Sequence, residues 1–233
     1  MNKLMIKLSA TISTLAVACV TFTSLMGASM SASAQEVKGD VNAGKSKIAM
    51  CIGCHGIVGY QASFPEIYKV PKISGQSAKY IVSALDAYKK GERKHPTMRG
   101  VASSLSDQDM ADLAAYYSVH GVVEGATLPA KPGKEPSAQV DALLKKGGCV
   151  ACHGDNFAKP IDPSYPKIAG QHADYLFVAL KAYKTEKNPQ VGRSNGVMAG
   201  MAKQFSNNEL KEMSKYISSL DGDLKTVPQS KFR

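Results

Sequence analysis

Met50-Cys51-Ile52-Gly53-Cys54-His55-Gly56 and, later in the chain, Gly148-Cys149-Val150-Ala151-Cys152-His153-Gly154 decide how this sequence is read. In each stretch two cysteines three positions apart are followed at once by histidine. C-x-x-C-H offers two thiols to the vinyl positions of a porphyrin and the adjacent imidazole to its iron, which is the attachment pattern of c-type haem. Redox-active dithiols and a zinc site are the competing readings. Two complete motifs, with only Cys19 left near the N-terminus, favour two covalently bound haem c groups. Cys51, Cys54, Cys149 and Cys152 are then the attachment points, and His55 and His153 the proximal iron ligands.

The motifs lie 98 residues apart and their surroundings repeat with them. Pro71-Lys72-Ile73-Ser74-Gly75-Gln76 returns as Pro166-Lys167-Ile168-Ala169-Gly170-Gln171. Tyr80, Leu85, Tyr88 and Lys89 are echoed by Tyr175, Leu180, Tyr183 and Lys184, and Met98-Arg99-Gly100 by Met198-Ala199-Gly200. A duplication explains this pattern. Residues 121–136, with three prolines, read as a linker. The organisation expected is a first domain over 35–120, the linker 121–136, and a second domain over 137–233. Each domain is small for a protein core, and a buried porphyrin with two covalent tethers would supply much of the missing apolar contact.

The apolar periodicity is helical. Residues 43–50 read as a helix running into the first motif, with 137–146 as its counterpart. Residues 77–90 place Ile81, Leu85 and Tyr88 on one face and end near Gly91; residues 172–184 match them. Each domain closes with a helix opened by a capping box, Ser106 with Asp109 and Ser206 with Glu209. Met110, Leu113, Ala114 and Tyr117 form one buried stripe, and Leu210, Met213, Ile217 and Leu220 the other. No alternating run suggests a strand. The fold expected is all-α.

Lys3 and Lys7, an apolar run over 8–22 and Ala32-Ser33-Ala34 read as a secretory signal, with cleavage after Ala34. Export places the protein in the periplasm. The apolar run is broken by Ser and Thr and is short for a transmembrane anchor. Without residues 1–34 the chain has 27 basic and 19 acidic side chains, a formal charge of +8 that haem propionates would lower. No basic cluster or aromatic platform for nucleic acid accompanies that charge. It suits steering towards an acidic partner surface or an anionic membrane face, with peripheral membrane association as one consequence.

The sixth iron ligand separates carrier from catalyst. Met98 and Met198 lie 43 and 45 residues after their histidines, at matching points of the repeat. A thioether there favours reduced iron. Met201 competes in the second domain, but its repeat partner is Val101. Met110 and Met213 belong to helix stripes. His95, His120 and His172 are alternative ligands whose counterparts are not histidines.

With these residues in view, the chain resembles the cytochrome c4 family of dihaem proteins, two class I cytochrome c domains in tandem. The resemblance covers nearly all of the chain after residue 34. It implies that His55 pairs with Met98, and His153 with Met198, and that Pro71 and Pro166 hold the loop behind each proximal histidine. It implies domains packed about a pseudo-twofold, with the propionates near the interface. Such proteins pass single electrons from a quinol-oxidising complex of the cytochrome bc1 type towards a terminal oxidase or reductase. The alternatives are a dedicated electron acceptor of a periplasmic dehydrogenase, for example one oxidising sulfur compounds, and a dihaem peroxidase, which needs an open iron. Tyr80 and Tyr175 are expected to pack or hydrogen-bond within their own domains rather than carry charge.

Overall fold

The computed structural model describes residues 37–229; the signal segment expected over 1–34, with Cys19, lies outside the described residues. Both halves use the same order of five helices. The first has α1 (Val41–Ser46), α2 (Ala49–His55), α3 (Ala78–Lys90), α4 (Pro96–Ser103) and α5 (Asp107–Val119). The second has α6 (Ala138–Lys146), α7 (Val150–His153), α8 (Ala173–Lys184), α9 (Gly196–Lys203) and α10 (Asn207–Ser218). The all-α expectation stands.

The helix ends show local chemistry at work. Ser106 and Ser206 each accept from the backbone of the residue three on, and Asp109 and Glu209 bond back, so both capping boxes form. Gly91, at φ +77°, turns the chain out of α3. One expectation needs correction. Residues 43–50 are not one helix; α1 ends at Ser46 and α2 begins at Ala49. Lys47 leaves the helix there, donating its N–H to Gly44 O. Its ammonium is held by Asp109 and Asp112 of α5 at 2.7 and 2.6 Å.

Two core clusters result, one per half. Met110, Leu113 and Tyr117 of α5 pack with Ile81 of α3 in the first, and Leu210, Met213 and Ile217 of α10 with Leu176 of α8 in the second. The halves differ in how their first helix meets their last. Gly44 lets the backbone of α1 approach that of α5, and a Cβ there would collide with Asp112 O. In the second half α6 instead offers Leu143 and Leu144 to the core around α10.

Among the described residues, four two-residue strands are the elements the periodicity did not reveal. Within the first half β1 (Gln61–Ala62) pairs with β2 (Tyr68–Lys69). Between the halves β3 (Arg93–Lys94) pairs antiparallel with β4 (Gly192–Arg193), Arg93 opposite Arg193. Runs this short carry no alternation and are made by their partner. The chain's last described stretch also returns to the first half: Lys225 N–H donates to Ser74 O at 3.0 Å. Gly75, at φ +82°, lies so close to Asp223 O that no side chain fits. Between α5 and α6 the chain runs without helix or strand, fixed to the second half where Asn156 Nδ2 donates to Pro129 O at 2.7 Å. Among the described residues no helix is long and apolar enough to cross a membrane.

Candidate haem-binding sites

α2 places Cys51, Cys54 and His55 at i, i+3 and i+4, one face of a helix. In the second half Cys149 is the N-cap of α7, and Cys152 and His153 lie within it. All four cysteines are free thiols and half-buried. Burial pushes the Cys51 and Cys149 thiols up, so both stay protonated at neutral pH. Neither pair is a disulfide.

The histidines are prepared in one way. His55 Nδ1 lies 2.8 Å from Pro71 O, and His153 Nδ1 lies 3.1 Å from Pro166 O. A carbonyl can only accept, so Nδ1 carries the proton and Nε2 keeps a free lone pair. Burial lowers both histidines below the usual imidazole range, and the nearby Arg93 and His95 add to the effect at His55. Both rings are therefore neutral at pH 7, with the Nε2 lone pair of each available to a metal.

Met98 and Met198 occupy equivalent places, each the third residue of its helix. Met98 N–H donates to His95 Nδ1 at 3.4 Å and Met198 N–H to Asn195 Oδ1 at 3.0 Å, so a side chain before the helix fixes each turn. Both side chains are half-buried. Met110 and Met213, by contrast, are 2% and 4% exposed within the cores, as packing residues should be. Met201 is exposed and its sulfur takes Gln204 Nε2. Two of the alternative histidines are engaged elsewhere. His95 receives Met98 N–H on Nδ1 and meets Tyr68 Oη through Nε2 at 3.0 Å. His120 stacks on Tyr116 and bonds Ser74 Oγ through Nδ1. His172 is the N-cap residue of α8.

The interface holds residues that sequence reasoning missed. Arg93 and Arg193 lie half-buried side by side, with no carboxylate bonded to either among the described residues. Arg93 donates to Tyr80 Oη at 3.2 Å and to Tyr175 Oη at 2.6 Å; Arg193 donates to the same Tyr175 Oη at 3.2 Å. Arg93 also lies over the Tyr88 ring and Arg193 over Tyr183. Arg93 Nε is buried without a partner among the described residues. Burial pushes the Tyr175 phenol up, but the two guanidiniums outweigh it and bring it to about 8. Tyr175 therefore bonds across the boundary, correcting the expectation that it serves only its own half. Two half-buried cations sharing neutral phenols favour an anion nearby, and the buried, unused Arg93 Nε is a donor for one. Their signal in the sequence was the spacing of Arg93 to Arg193, the same as that of Met98 to Met198.

Paired thiols, a neutral imidazole with a free nitrogen and a half-buried cationic patch suit a porphyrin that is apolar in its body and carboxylated at one edge. The donor set fits haem c in both halves. The family model described as Cytochrome c matches the chain twice, over residues 41–118 and 137–221. The cytochrome c4 of Thiocapsa roseopersicina is 33% identical over 191 residues, covering 78% of this chain and 93% of that one. The chain belongs to the dihaem cytochrome c4 family. A crystal structure of reduced recombinant cytochrome c4 from Pseudomonas stutzeri is 29% identical, with a TM-score of 0.56, over 78% of this chain and 100% of that one. A thiosulfate dehydrogenase electron acceptor of Stutzerimonas stutzeri is 30% identical over 183 residues, 73% of this chain and 78% of that one. Two cytochrome c domains carry two haem c sites, and a c4 chain is an electron carrier, not a catalyst.

Proposed function

We propose that this chain is a periplasmic c4 electron carrier whose two domains, 35–120 and 137–233, each hold one haem c joined by 121–136. Thioether bonds from Cys51 and Cys54, and from Cys149 and Cys152, would fix the porphyrins, with His55 and Met98 holding one iron and His153 and Met198 the other. Haem bound there supplies one-electron Fe(III)/Fe(II) cycling. The protein's part is to hold geometry constant. Pro71 and Pro166 orient the histidines, the helix caps at His95 and Asn195 set the methionine turns, and Arg93 and Arg193 with Tyr80 and Tyr175 would take the propionates at the interface. With a histidine and a methionine both held by each iron, no position would be left open for a substrate. The observation that carries the reading is the doubled arrangement of C-x-x-C-H with its histidine Nδ1 bonded to a proline carbonyl.

Partners would be a bc1-type donor and a terminal oxidase or another acceptor. Exposed Met50, Ile57 and Val58 flank the first motif and exposed Val150 lies within the second. Such apolar edges, in a chain of positive charge, suit brief contact with acidic redox proteins. A second reading, acceptor for a thiosulfate-oxidising dehydrogenase, is favoured by the likeness to the Stutzerimonas acceptor. The first experiment is a potentiometric titration of the holoprotein followed by its visible spectrum. Two high-potential, low-spin centres with the charge-transfer band of methionine-ligated ferric haem support the carrier. A high-spin or low-potential centre would sink the ligand assignment for that domain. Reduction by a quinol-oxidising complex, compared with reduction by a thiosulfate dehydrogenase, separates the two readings.

A further inference from the structure

Gln76 and Gln171 are buried, 5% and 4% exposed, and each reaches into the other half. Gln171 Oε1 accepts Lys72 N–H at 3.0 Å, and Gln171 Nε2 donates to Lys72 O at 2.9 Å. Gln76 makes the mirror pair, Oε1 accepting Lys167 N–H at 2.9 Å and Nε2 donating to Lys167 O at 2.9 Å. Each oxygen takes a second bond at the start of its own helix, from Ser77 N–H or His172 N–H. Both lone pairs are used, so the side-chain amides cannot turn.

The peptide that Gln171 grips is the one behind a haem ligand. Lys72 N–H and Pro71 C=O belong to a single amide unit. Its N–H donates to Gln171 in the second half, while its C=O accepts from His55 Nδ1 in the first. The Pro166–Lys167 unit does the same between Gln76 and His153. Amides conduct polarisation. A hydrogen bond donated by the N–H shifts electron density onto the carbonyl oxygen, which then accepts more strongly. A stronger acceptor on Nδ1–H makes the imidazole more basic at Nε2.

We propose that Gln76 and Gln171 are crossed positioning residues, each tuning the proximal histidine, and so the iron potential, of the haem in the opposite domain. The inference rests on the histidine ligation proposed above. A more basic imidazole stabilises Fe(III), so each glutamine lowers the potential of the far haem and leaves its own nearly untouched. A glutamine that merely glued the halves together would act with the opposite sign. Loosening the interface would admit water to both haems, stabilise both ferric states and lower both potentials.

The test uses full-length holoprotein, with NMR resonances of each haem followed through a redox titration. Gln171→Met keeps the length and packing but removes both bonds, and should raise the potential of the first-domain haem alone. Gln76→Met should raise that of the second-domain haem alone. Gln171→Glu retains an acceptor on Lys72 N–H, so the first-domain potential should not rise. A low-spin spectrum with neither potential moved, both moved downward, or a rise in the substituted residue's own domain would each overturn the proposal. Should the methionine variants fail to assemble, Gln171→Leu and Gln76→Leu carry the same potential test, and hydrogen exchange on the unsubstituted holoprotein can still overturn the proposal. The Lys72 and Lys167 amides must be protected although they lie outside any helix, and rapid exchange at either would overturn the clasp. Failure of the ligation reading itself would show earlier, as a wild-type spectrum without low-spin haem.

Discussion

Gly44→Ala tests whether the first domain depends on backbone contact between α1 and α5. A Cβ on residue 44 would run into Asp112 O and would sit 2.8 Å from Tyr116 Cβ, inside any normal carbon–carbon contact. The obstruction is backbone and a β-carbon, neither of which can swing aside, so α1 itself must move. Overpacking of a well-filled site costs about 1–3 kcal/mol, and an immovable obstacle belongs at the upper end. Alanine in a helix interior returns about 0.8–1.0 kcal/mol relative to glycine. The net loss is about 1–2 kcal/mol, and at about 2–4 °C per kcal/mol for a chain of this size Tm should fall by about 2–8 °C. The assay is thermal unfolding of the oxidised holoprotein, read by far-ultraviolet circular dichroism and by the Soret band. Because α1 leads into α2, which carries Cys51 to His55, the first-domain haem should also show a disturbed spectrum while the second does not. An unchanged or raised Tm would refute the reasoning, since alanine's helical gain would then be unopposed.

Asp112 accepts Lys47 Nζ, Asp40 N–H and Gln108 Nε2, and the Lys47 ammonium, followed by the Asp40 amide, holds its carboxyl below the ordinary value of 3.8. Its stabilisation is therefore present above pH 3.8 and lost as pH falls through the lower, folded value. Asp112→Asn should lower Tm at neutral pH, with the gap to wild type closing in acid; a gap independent of pH would contradict the assignment. Met98→Ala and Met198→Ala should each abolish half of the charge-transfer band and open one reduced haem to carbon monoxide, whereas Met201→Ala should do neither. Arg93→Met removes a half-buried cation from the interface and should lower at least one haem potential, checked by spectroelectrochemistry.

What could be read from the chain was what lies close in sequence. The C-x-x-C-H motifs, the capping boxes at Ser106 and Ser206, and the stripes of α5 and α10 depend on neighbours within a turn or two. That Met98 and Met198 take matching places needed one more step, comparison of the two copies, and each is the third residue of its helix. Lys47 shows where locality fails: its break between α1 and α2 is made by Asp109 and Asp112, carboxylates on the closing helix. Gln76, Gln171, Arg93 and Arg193 show it more fully. Each was visible as a repeated letter, but a repeat does not say that its members face one another. Their roles arise only when the halves meet, through bonds spanning about 80 to 100 residues.

The return of the last described stretch to the first half changes what the linker is for. With Lys225 bridged to Ser74, β3 paired to β4 and both glutamines crossed over, the two halves are stitched at several points that do not involve residues 121–136. The linker's contribution is then mainly effective concentration, bringing together surfaces already shaped to recognise one another. Cut by a protease within that stretch, the molecule should stay a noncovalent pair, in the manner of a split protein whose fragments remain associated. Its duplicated halves would then be better regarded as a heterodimer that happens to be translated as one chain.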